Sequence, residues 1–276
     1  MLNLTFHGVR GSTPAPGPDT VRYGGHTPCV ALEVPGQDPI VLDLGTGLRS
    51  WAATLDPEAP FRGTALLTHL HLDHVQGLPF FRPLERSGAA LEVYGPSPEE
   101  GPFAKVMDTL FRPPWVPEPP AGVRFQDCAD EELSLGDAKV WARPVPHRGP
   151  ANGYRVEWEG VSIAYVSDHQ APTGLDTVAE PVLELADGAD LLIHDAQYTT
   201  AEWDRRSGWG HSTVDYAVLV ARQAGARRLA LFHHDPARTD DDIDALLDGA
   251  RRTAERLGVD EVLAAAEGVT VSFERP

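Results

Sequence analysis

Cysteine is nearly absent: the chain holds Cys29 and Cys128 and no others among 276 residues. Two cysteines with no CxxC pair exclude a disulfide framework and a thiolate metal site, and both read as small buried hydrophobes. Long apolar runs are missing too. Nothing approaches the ~20 apolar residues that span a bilayer. The opening MLNLTFHGVRGS lacks the basic-then-apolar order of a secretory leader. A reduced, cytoplasmic protein without a membrane partner is the expectation. Basic charge is scarce, with 23 Lys and Arg against 41 Asp and Glu and a formal charge of −18. Long nucleic acids are poor partners for such a surface, because phosphate backbones are held by clustered Lys and Arg. A small anion at a local cation centre stays open. No internal repeat, low-complexity tract or linker divides the chain.

What the chain has in quantity is proline, 25 residues, together with 26 glycines. That proline share is nearly twice the usual ~5% and implies fixed turns rather than a helical bundle. Strand-like stretches fall at Leu2–Phe6, Cys29–Val34, Ile40–Leu44, Ala65–Thr68, Leu91–Tyr94, Ala138–Arg143, Tyr154–Trp158 and Ser162–Val166. The second half then alternates. Helices are expected at Val178–Leu185, near Thr213–Ala224 and near Asp240–Leu257. Strands are expected at Asp190–Ile193, Arg228–Phe232 and Thr270–Phe273. Many strands with flanking helices predict a layered α/β domain.

One turn concentrates metal-ligating chemistry. The sequence HLHLDH places His69, His71, Asp73 and His74 directly after the apolar run Ala65–Leu67. Residues two apart in extended backbone point the same way, so His69 and His71 share a direction. Asp73 and His74 can face a second point nearby. Imidazole suits zinc, and a carboxylate completes or bridges such a site. One turn cannot fill two coordination shells, so further ligands must come from other strand ends. His147 in VPHRG, Asp168 in YVSDHQ, and His233 or His234 in LALFHHDP are so placed.

The cluster, the later His, the strand-terminal Asp and the final His together resemble the metallo-β-lactamase superfamily. The resemblance runs over almost the whole chain. LLIHDAQYT and GHSTVDYAVLVARQAGARRLALFHHDP are similar to its phosphodiesterase branch, which includes tRNase Z and the phosphoribosyl cyclic phosphate phosphodiesterases. The opening FHGVRGSTPAPGPDTVRYGGHTPCVALEV, with LDLGTGLR and GLPFF, resembles a subgroup whose relatives cleave cyclic nucleotides. The resemblance implies one domain over residues 1–276 with a four-layer αββα sandwich, two mixed sheets flanked by helices. It implies two divalent metal ions, zinc by default with manganese or iron compatible. His69, His71 and His147 would hold the first ion and Asp73, His74 and His233 the second, with Asp168 bridging. His211 in GHST would contact the phosphate or leaving group, oriented by Asp195, and Asp73 would help orient a metal-bridging hydroxide. A small phosphodiester is the implied substrate and a homodimer the implied assembly, with the proline-rich segment from Pro113 to Pro120 a candidate interface or lid.

Other histidines, His7, His26, His169 and His194, read as structural. Arg10 and Ser12 in the first loop have a lesser claim on substrate. The alternatives are a tRNase Z-like endoribonuclease, a lactone or thioester hydrolase of the same fold, and a non-catalytic binding module. The −18 charge and the lack of a Gly- and Lys-rich arm weigh against the first, GHST against the second, and a full ligand set against the third.

Overall fold

The computed structural model of the protein describes residues 1–118 and 122–274. The first half of the chain forms β1 (Leu2–Gly8), β2 (Cys29–Glu33), β3 (Ile40–Leu42), α1 (Gly47–Ala52), β4 (Arg62–Leu66), α2 (Leu72–Val75), β5 (Ala90–Gly95), α3 (Phe103–Leu110) and β6 (Val123–Asp127). The second half forms β7 (Glu132–Leu135), β8 (Ala138–Pro144), β9 (Asn152–Trp158), β10 (Val161–Val166), α4 (Glu180–Ala186), β11 (Leu191–Asp195), α5 (Thr200–Arg206), α6 (Val214–Ala224), β12 (Arg228–Phe232), α7 (Asp240–Leu257), β13 (Glu261–Ala264) and β14 (Thr270–Phe273).

Among the described residues these strands make two seven-stranded mixed sheets, ordered β14-β1-β2-β3-β4-β5-β6 and β13-β12-β11-β10-β9-β8-β7. The sheets face each other over a core that includes Phe6, Leu42, Leu66, Tyr165, Ile193 and Phe232. Phe232 lies edge-on to Tyr165, with ring centroids 5.6 Å apart. Helices cover both outer faces. Trp51 of α1 and Met107 of α3 pack on the first sheet, and Val182 of α4, Val218 of α6 and Ile243 of α7 on the second. The result is the expected αββα sandwich.

Strand composition explains the layering. In β11 every residue is buried, and in β12 all but the first, because parallel strands with covered faces need apolar side chains on both sides. The first sheet's edge strand β6 instead carries Arg124 and Gln126 to solvent. Several boundaries match the sequence reading, including β12, α7 and β14. Helix α5 and strands β6, β7 and β13 are additions to it. Residues 119 and 120 of the proline-rich segment lie outside the described residues. No helix among the described residues is long and apolar enough to cross a membrane.

The topology places several strand ends at one rim. Strands β3, β4, β10, β11 and β12 run parallel within their sheets and β8 shares the direction of β10, so their C-terminal ends gather there. Hydrogen bonds lace the two sheets together at this rim. Asn152 N–H donates to Thr68 O (2.9 Å) and Tyr154 OH to Leu67 O (2.6 Å).

Candidate metal centre

Each sequence-predicted ligand lies just beyond one of these strand ends. His69 and His71 follow β4, and Asp73 and His74 sit in α2, which begins after His71 in extended backbone (ψ 148°). His147 follows β8, Asp168 follows β10 and His233 follows β12. His233 takes a left-handed φ of 57°, which breaks the strand and turns consecutive histidines apart. His234 points away, its Nε2 donating to Ala265 O at 2.9 Å.

The ligand atoms converge in overlapping groups. His69, His71 and His147 form one, and Asp73, His74 and His233 another, with the atoms of each within 4.8 Å of one another. Asp168 stands between them. It groups with His69 and His74, and again with His211 and His233. Its Oδ1 lies 3.8 Å from His69 Nε2, and its Oδ2 lies 3.2 Å from His74 Nε2 and 3.4 Å from His233 Nε2.

In three of the rings the outer nitrogen is already committed. His74 Nδ1 meets Asp43 Oδ2 at 2.8 Å, His147 Nδ1 meets Gly210 O at 2.7 Å and His69 Nδ1 meets Thr68 Oγ1 at 3.0 Å. A proton on Nδ1 leaves the Nε2 lone pair facing the cluster, as histidines that hold a metal require. His69 Nε2 and His74 Nε2 are buried without a hydrogen-bond partner. Buried nitrogens and carboxylates left this way are costly unless a cation joins them, so the donor set fits divalent ions. The His and Asp chemistry suits zinc, with other first-row ions compatible.

Burial and neighbouring charge oppose each other across the cluster. Burial pushes the Asp73 carboxyl up, but His74 and His233 outweigh it and hold it far below the ordinary range. Asp168 behaves alike under His233, His74 and His69. Both are therefore anionic. Burial drives His69 well down and His147 to about 4, so both present neutral rings. His74 is also pushed down by burial, but Asp73, Asp168 and Asp43 reverse this and raise it.

His211 is placed by a stitched segment. Tyr198 N–H donates to Ser212 O and Val214 N–H to Tyr198 O, which joins the chain after β11 to the chain before α6. Thr213 then caps α6, its side chain accepting from Tyr216 N–H. This leaves His211 Nδ1 at 2.9 Å from Asp195 Oδ2. Burial lowers the His211 imidazole, but Asp195, then Asp168 and Asp73, reverse the direction and raise it. The preceding Gly210, at φ 95°, has to be glycine, since a Cβ there would lie 2.8 Å from His147 Cε1.

Two supporting residues escaped the sequence reading. Asp43, fully buried at φ 60°, accepts from Thr68 N–H (2.8 Å), Thr68 Oγ1 (2.9 Å) and Tyr165 OH (2.8 Å) while holding His74. Its signal was a carboxylate closing an apolar strand, in VLDLGTG. Arg148 lines a cleft of about 420 Å³ beside His69 and His71, together with Glu99 and Glu100. Arg10 does not reach the site. Its guanidinium is buried and donates to Gly24 O (2.7 Å) and Arg238 O (2.8 Å). His7 stacks on Trp51, and the His169 ring bonds His194 at 3.0 Å; neither ring joins a ligand group.

Comparison with known proteins gives a consistent kinship. Residues 40–234 match the family described as the beta-lactamase superfamily domain. An uncharacterized protein of Mycobacterium tuberculosis is 30% identical, the match covering 88% of this chain and 84% of that one. A ribonuclease Z of Synechococcus is 27% identical, covering 85% and 88%. Among solved structures, a diphosphatase of the PhnP family superposes with a TM-score of 0.72 at 22% identity, covering 100% of this chain and 99% of that one.

Proposed function

This chain belongs to the beta-lactamase superfamily, and from that membership we propose that it is a dinuclear metal-dependent hydrolase that cleaves a small phosphodiester, cyclic ones included. One observation carries the reading. Asp168 groups with His69 and His74 and again with His211 and His233, between the two ligand groups, and a histidine–carboxylate pair, His211–Asp195, stands beside them. His69, His71 and His147 would hold one ion, Asp73, His74 and His233 the other, and Asp168 both. Divalent ions so held would supply ionised water near neutral pH and would neutralise phosphate oxygens. Zinc is the proposed metal.

The chain's own residues do the rest. Asp195 fixes the tautomer of His211 and favours its protonated form. His211 then donates a proton to the departing alkoxide, a step typically contributing about 10²–10⁴-fold. Among the described residues Arg148 is the one cation lining the cleft beside His69 and His71, where it would meet a phosphate ester opposite Glu99 and Glu100. The −18 charge favours a small substrate over a long polyanion.

A second reading, a tRNase Z-like ribonuclease, draws on the Synechococcus relative. A single panel separates them. Metal-loaded protein is assayed on bis-nitrophenyl phosphate, cyclic mononucleotides, cyclic ribose phosphates, a tRNA precursor and a lactone. Turnover of the small diesters is expected. Turnover confined to the precursor selects the second reading, and turnover confined to the lactone overturns both.

A further inference from the structure

One line of hydrogen bonds runs from the His211–Asp195 pair to the Asp73 group, through Gln197 and Ser12. Gln197 N–H donates to Asp195 Oδ1 at 3.1 Å. Gln197 Nε2 donates to Ser12 Oγ at 3.2 Å. Ser12 N–H donates to Asp73 Oδ2 at 2.8 Å. The same Asp73 oxygen lies 3.2 Å from His233 Nε2.

The geometry is held under tension from both ends. Ser12 sits at φ 62°, a conformation that residues with a Cβ adopt only when their surroundings compel it. The compulsion is visible. Gly11 lies flat on the His233 ring, where a Cβ would fall 2.4 Å from Nδ1, and Gly11 N–H donates to His234 O. Arg10, one residue earlier, is anchored by its buried guanidinium. The loop is thus pressed against β12's end on one side and against Asp73 on the other. Gln197 is buried, while Ser12 is exposed. The Gln197 Oε1 atom has no hydrogen-bond partner, so the link to Ser12 is what ties this amide down.

We propose that Ser12 and Gln197 are positioning residues that couple the first loop to the ligand cluster, so that Asp73 is oriented for its ion and Asp195 for His211 by one shared latch. This rests on the metal assignment made under the proposed function. Ser12 N–H limits rotation of the Asp73 carboxylate, and Gln197 holds the peptide that presents that N–H. Breaking the latch frees Asp73 but leaves His69, His71 and His147 as they are.

Metal titration of the stripped full-length protein, followed by calorimetry, tests this. The wild type is expected to bind two zinc ions. Gln197→Met and Ser12→Gly are each expected to weaken one binding event by about 10–100-fold and spare the other, the range for residues that orient metal ligands. Glycine keeps the N–H and suits the positive φ, so its loss reports the hydroxyl alone. Ser12→Asn tolerates that φ and retains an oxygen for Gln197, and is expected to keep wild-type affinity. The double variant Ser12→Gly/Gln197→Met is expected to be no weaker than either single, since one link is removed once. In the loaded enzyme kcat falls while KM holds. If Gln197→Met misfolds, as a lowered Tm would reveal, the exposed Ser12 variants carry the test alone. Two ions bound at wild-type affinity by both singles, or losses that multiply in the double, overturn the latch. A wild type that binds no pair of ions overturns the proposed function and the latch together.

Discussion

At the scale of single residues, His211 has two possible employments that the geometry separates. It groups with Asp168 and His233, as a ligand would, yet its Nδ1 is bound to Asp195. If it is the acid, His211→Ala keeps both ions by elemental analysis. It then loses about 10²–10⁴-fold in kcat on a poor leaving group and far less on a nitrophenyl ester. Equal loss on both esters would contradict a proton-donor role. Asp43 makes a second residue-scale case. It is the partner of His74, and Asp43→Asn keeps its size and its tolerance of positive φ while removing the charge. About 10–100-fold weaker metal binding is expected, read by competition with a chromophoric chelator.

At the scale of elements, the cap of α6 links stability to the site. Thr213→Ala removes the side-chain acceptor of Tyr216 N–H, a loss worth about 1 kcal/mol. A Tm lower by about 2–4 °C is expected from differential scanning calorimetry. Because His211 lies two residues before that cap, kcat is expected to fall in the same variant. Elements also show what the sequence discloses. HLHLDH was legible because its chemistry is dense and local, and β12 and α7 because their apolar patterns are unbroken. Asp43 was not, because its role depends on Thr68 and Tyr165, which the fold alone brings to it. Helix α5 has a start signal in the capping box of Thr199 and Glu202, but its seven residues are too few for a helical period to stand out. Strand β13 is four residues long, too short for a pattern to distinguish it from a turn. Arg10 invited a functional reading by its charge, and only packing reveals it as an anchor.

At the scale of the whole molecule, burial sets an acid limit. His7 is held down at about 4 by desolvation, with Glu267 opposing weakly, against an ordinary value near 6.5. The unfolded chain therefore takes up this proton first. His7 contributes its full stability above about pH 6.5 and loses it progressively as pH falls toward 4. His7→Phe is expected to shrink the drop in Tm between pH 7 and pH 4.5, measured against wild type with metal removed from both. A second consequence follows from where the candidate ligands hang. Residues 69, 71, 73 and 74 belong to one sheet's rim and residues 147, 168 and 233 to the other's. Two ions, each drawing ligands from both rims, would rivet the sandwich shut at that margin. Chelation would then do more than silence a reaction: the seam itself would breathe, and amide exchange at the ends of β4 and β12 would quicken together.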